Sequence, residues 1–73
     1  MGCLTVRYFA GTDFCDAIKD MRRLMNLLDC SIESNMNGVT VVVMGNDSDI
    51  EESVIQIRSR IGSCDLDKFY IVK

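Results

Sequence analysis

From Cys3 to Phe9 the chain alternates Leu4, Val6 and Tyr8 against Thr5, Arg7 and Phe9, and this period of two predicts a first strand. The period then lengthens. After a short turn at Ala10-Gly11-Thr12, the residues Phe14, Ile18, Met21, Met25 and Leu28 recur at steps of four, three, four and three, which is one face of a helix. Asp13 or Thr12 stands where a side-chain oxygen caps its first turn. The opposite face, with Asp16, Lys19, Asp20, Arg22, Arg23 and Asn26, is expected in solvent.

At Ser31 the period returns to two, with Ile32, Ser34 and Met36 on one side and Glu33 and Asn35 on the other. Asn37-Gly38 tolerates positive φ at both positions, the requirement of a type I′ hairpin turn. A two-residue turn opposes Met36 to Val39, Ser34 to Val41 and Ile32 to Val43, so these six side chains share a face. The third strand, Val39 to Met44, is apolar on both sides and is expected in the middle of the sheet. The second, rich in Ser and Asn, reads as an edge. Ser48-x-x-Glu51 then fits a capping box, Ile50, Val54, Ile57 and Ile61 form a second helical stripe, and Gly62 stands where a left-handed cap is expected. A last strand is expected over Leu66 to Lys73.

Strand, helix, strand, strand, helix, strand makes two βαβ halves. If both crossovers are right-handed and both helices lie on one face, the sheet is antiparallel with order 4-1-3-2, the α+β ferredoxin-like arrangement, over residues 1–73 as a single domain. The other face stays open. It is expected to carry Thr5, Arg7, Phe9, Thr40, Val42 and Met44, and Phe9, Val42 and Met44 make it a candidate for self-association into a homodimer.

In element order, and from Val39 through Gly45 to Gly62, the chain resembles the heavy-metal-associated domains, small ferredoxin-fold carriers of copper or zinc. Their metal site is a C-x-x-C pair where strand 1 meets helix 1. The matching window here is Thr12-Asp13-Phe14-Cys15, so only Cys15 answers to the motif. ACT-type regulatory modules share the same order. Both resemblances imply a small-ligand or metal-binding regulatory domain.

Composition narrows the chemistry. Eight Lys and Arg against eleven Asp and Glu give a net charge of −3, which disfavours direct binding of a nucleic-acid backbone. The 73 residues contain no histidine, which removes the usual general base and commonest metal ligand, and no enzyme activity, metal or cofactor is expected. No apolar run exceeds the length of Val41 to Met44, so neither a signal peptide nor a membrane span is expected. Cys3, Cys15, Cys30 and Cys64 show no C-x-x-C spacing and are read as reduced, mostly buried thiols of a cytoplasmic protein. Cys15 lies near a helix start, but Asp13 and Asp16 flank it with the wrong charge to stabilise a thiolate.

What remains is the placement of acid. Asp47, Asp49, Glu51 and Glu52 crowd the start of the second helix, where they complement its dipole, and Asp65 and Asp67 follow it. These six are the candidate partner-binding residues of a non-enzymatic acidic module that docks on a basic, nucleic-acid-binding surface of a larger protein or nucleoprotein complex. In size, acidity and lack of catalytic groups the chain is similar to small inhibitors encoded by phages, anti-CRISPR proteins among them.

Overall fold

The elements run β1 (Cys3–Thr5), α1 (Phe14–Leu28), β2 (Ser31–Met36), β3 (Val39–Val43), α2 (Ile50–Ile61) and β4 (Phe69–Val72). They come from a computed structural model that describes residues 2–9, 11–65 and 67–73. Ala10 of the expected first turn and Leu66 of the expected last strand lie outside the described residues. Asn37 and Gly38 take φ of 52° and 94°, and the hairpin register is Ile32 to Val43, Ser34 to Val41 and Met36 to Val39. All six side chains of that face are buried, under Ala17, Ile18, Met21 and Met25 of α1 and Val54 and Ile57 of α2.

The sheet itself is mixed, with strand order β1-β2-β3-β4. β1 is parallel to β2, β2 antiparallel to β3, and β3 parallel to β4, which overturns the antiparallel 4-1-3-2 ferredoxin-like arrangement. Each crossover returns its strand beside the one it left instead of passing over a neighbour. β2 is therefore interior and β1 an edge, the reverse of the sequence expectation. The polar residues that suggested an edge alternate: Glu33 and Asn35 project to the face without helices, and only Ser34 is buried. Their polarity reports a face of the sheet, not a position in it.

Strand directions of up, up, down, down, with both helices packed on one core, make the two adjacent crossovers opposite in hand. One of them is necessarily left-handed, against the strong right-handed preference that supported the expected topology. The order is open to a direct check, because Cys3 pairs with Ser31 across β1 and β2. Neighbouring strands lie about 4.8 Å apart, near the separation a disulfide spans. A Ser31→Cys variant is expected to form a bridge to Cys3 under mild oxidation, seen by peptide mapping; a 4-1-3-2 sheet would keep these residues two strands apart and unlinked.

The helix ends also differ in detail from expectation. Asp13 Oδ1 accepts from the Cys15 amide at 2.8 Å, and Asp49, not Ser48, caps α2 by accepting from the Glu51 amide at 3.1 Å. Ser48 instead ties down the end of β4: its Oγ accepts from the Lys73 amide at 3.0 Å, and its own amide donates to the Lys73 carbonyl. Gly62 has φ −93°, so no left-handed cap closes α2. The Lys68 ammonium closes it, donating to the carbonyls of Arg60, Ile61 and Ser63. The left-handed residue falls at the end of α1, where Asp29 has φ 53°.

Two substitutions test this packing. A Cβ at Gly45 would lie 3.0 Å from the Lys73 carbonyl carbon, backbone that is itself fastened to Ser48. Gly45→Ala is expected to destabilise by about 1–3 kcal/mol in urea unfolding. Ser34 is 1% exposed and among the described residues its Oγ has no hydrogen-bond partner. Ser34→Ala, which removes an unsatisfied buried hydroxyl, is expected to stabilise by about 1 kcal/mol in the same measurement.

Candidate functional site

The strand directions give the molecule two ends. At one, which we call the loop end, β3 finishes, α1 finishes and α2 starts; at the other, the hairpin end, lie residues 37 and 38, the start of α1 and the finish of α2.

Asp47, Asp49, Glu51 and Glu52 are all exposed at the loop end. Asp49 is engaged as the cap, and Glu52 accepts from the Gln56 side-chain Nε2 at 3.1 Å. Among the described residues the one ion pair is Arg23 with Asp20 at 2.8 Å, so no cation neutralises any of the four. Asp65 and Asp67 are exposed too, but they follow the far end of α2. Twelve helical residues, about 18 Å, separate the two groups, and the six candidates do not form one patch.

The fold brings other residues to the loop end. Asp29 is exposed there, following an α1 whose last turn has no basic residue. Leu27, Leu28 and Met44 are 71%, 49% and 56% exposed, so uncovered apolar surface lies at the same end of the molecule as the carboxylates. A shallow cavity of about 250 Å³ runs between Met25, Asp29, Met44 and Asn46, bordered by the reciprocal amide pair Asn26 and Asn46 at 3.0 Å. Sequence reading missed these loop-end residues, because Leu28 belongs to the core-facing stripe and Asp29 is two elements away from Asp47. The signal present in the chain is Leu27, an apolar residue off the stripe.

The candidate self-association residues separate. Val42 lies on the face without helices, in register with Glu33 and Ile71, and Met44 continues past β3 with its amide donating to the Val72 carbonyl at 2.8 Å. Phe9 lies beyond the end of β1, which stops at Thr5, and is 92% exposed at the hairpin end. Apolar surface on the open face comes instead from Phe69 and Ile71 beside Val42.

None of the cysteines is buried: Cys3 and Cys64 are exposed, Cys15 and Cys30 half-buried against the core, and all four are free. This corrects the expectation of mostly buried thiols; Cys3 lies on an edge strand and Cys64 in a loop, and both are exposed. Among the described residues no group of three or more Cys, Asp or Glu is arranged to hold a metal ion, and no helix is long and apolar enough to cross a membrane.

At the hairpin end a cavity of about 350 Å³ opens between the loop after β1, the start of α1, the hairpin turn and Arg58 of α2. Tyr8 lines it and donates to Asp20 at 2.8 Å. Burial, then the bond and charge of Asp20, push the Tyr8 phenol far above its ordinary value, while Arg23 and Tyr8 hold the Asp20 carboxyl below its own. The sign for stability follows from Tyr8's raised value: the contribution is complete below the unfolded phenol value near pH 10 and is lost as pH rises beyond it. Thermal melts are expected to fall more steeply above about pH 10 in the native chain than in Tyr8→Phe. Equal slopes would contradict the half-buried phenol bonded to Asp20.

Compared with known proteins, the chain matches no family model, no curated protein and no solved structure.

Proposed function

We propose that this chain is a non-enzymatic interaction module whose loop end docks on a basic surface of a larger protein. The observation that carries this is the set of exposed carboxylates Asp47, Glu51 and Glu52, none needed as a helix cap and none paired with a cation among the described residues. Dipole complementarity accounts for only about 0.3–1 kcal/mol per group and does not call for a side chain as far out as Asp47, two residues before the cap. Leu27, Leu28 and Met44 add exposed apolar surface at the same end of the molecule, and protein interfaces combine apolar with charged groups. In its specific form, the module competes with nucleic acid for a basic channel of a protein or nucleoprotein complex, as an inhibitor does.

The test spares the Asp49 cap. Partners captured from the native host by the wild-type chain are compared with those captured by the triple variant Asp47→Lys, Glu51→Lys, Glu52→Lys. Charge reversal is expected to weaken capture about tenfold or more at low salt, with the difference shrinking above the salt at which rim charges are screened. Added duplex DNA or RNA is expected to displace the partner. A partner held equally by both forms at all salt concentrations would overturn the reading.

A further inference from the structure

The hairpin-end cavity has no part in the proposed docking, and its lining is chemically specific. At about 350 Å³ it has room for roughly a dozen water volumes and lies at the small end of ligand sites. Ala17 and Met36, both buried, contribute to its lining together with the Phe14 ring. The Arg58 guanidinium stands 5.6 Å from the centroid of that ring, and no carboxylate among the described residues pairs with it. Phe9 is the second unusual feature. Its carbonyl is held by the Thr12 amide at 3.1 Å and the Thr12 hydroxyl at 2.7 Å, yet its side chain is 92% exposed at the cavity. An anchored backbone that presents an uncovered aromatic ring beside a cavity containing an unpaired cation defines what would fill it.

We propose that this cavity binds a compact aromatic monocarboxylate, its ring between Phe9 and Phe14 and its carboxylate on the Arg58 fork. Arginine suits a carboxylate because the planar guanidinium donates two parallel hydrogen bonds. Asp13 also lines the cavity and repels each negative charge brought into it, so a monoanion meets half the repulsion that a dianion such as a phosphate monoester meets. The aromatic body is specified by the two phenylalanines and by the volume.

Phenylacetate titrated into the isotope-labelled chain tests this by NMR. Saturable shifts are expected at the amides of Gly11, Thr12 and Asn37 and at Arg58 Nε, with dissociation constants in the range of about 0.1–1 mM that a small fragment reaches. Phenylacetamide, which lacks the charge, and the Arg58→Gln variant are each expected to weaken binding about tenfold, and phenyl phosphate to bind more weakly than phenylacetate. Phe9→Ala, at an exposed position that leaves the fold intact, is expected to weaken binding severalfold. Absence of saturable shifts, or equal affinity for the amide or for Arg58→Gln in a variant whose remaining spectrum is unchanged, would overturn the proposal. Because the site lies at the opposite end from the acidic surface, its failure and that of the docking reading are separate results.

Discussion

Truncating Ile18 to Ala is expected to cost about 3–4 kcal/mol, a large share of the roughly 4–11 kcal/mol that a domain of this length holds in total. Ile18 is fully buried on α1, part of the one cluster that joins both helices to the hairpin face. With Met21, Ile32 and Ile57 also at 0% exposure, the surroundings are fully packed and the cavity left by three lost carbons would not close cheaply. Leu28 belongs to the same apolar stripe but is 49% exposed, and Leu28→Ala is expected to cost under about 1 kcal/mol. Urea unfolding of the two variants checks the contrast. Equal losses would show that the end of α1 is packed and that Leu28 is not exposed apolar surface.

That contrast marks how far the chain's pattern can be read. Periodicity located every element, and Asn37-Gly38 set the hairpin register, because both depend on neighbours in sequence. Strand order does not. The 4-1-3-2 expectation rested on handedness applied twice, and a local pattern carries no information on whether a helix returns its strand beside β1 or one place further on. The same limit governed the candidate sites. The exposure of Asp47, Asp49, Glu51 and Glu52 was legible from their crowding at a helix start, but not their separation from Asp65 and Asp67 by the length of α2. Asp29, Met44 and Asn46 come together around the loop-end cavity only through the fold. The cavity at Arg58 joins residues from four segments of chain, and Phe9 was assigned to the open sheet face because β1 was expected to run four residues further than it does.

Arg22 shows most sharply what a helical wheel conceals, and its replacement is expected to have the second-largest effect. By sequence it belongs, with Lys19 and Arg23, to the face of α1 expected in solvent. In the fold its Nε donates to the Gly45 carbonyl at 3.2 Å and its terminal nitrogen donates to the Ser48 carbonyl, so one guanidinium joins α1 to the segment between β3 and α2. Ser48 in turn holds Lys73, and Asn26 bonds Asn46 one turn further along α1. Arg22 therefore stabilises the seating of β4 without touching it. Two hydrogen bonds from a charged donor, each contributing about 1.5–3 kcal/mol when partly buried, less the entropy of fixing a long side chain, suggest a loss of about 2–3 kcal/mol for Arg22→Met. Methionine keeps the apolar stem, so the loss reports the guanidinium. Arg22→Lys, a point charge able to reach one carbonyl at a time, is expected to recover about half of it. Hydrogen exchange separates this account from a general loss of helix stability. The amides of Met44 and Ser48, which donate to Val72 and Lys73, should lose protection in Arg22→Met before the central amides of α1 do. If α1 loses protection first, the guanidinium supports its own helix and the link to β4 fails.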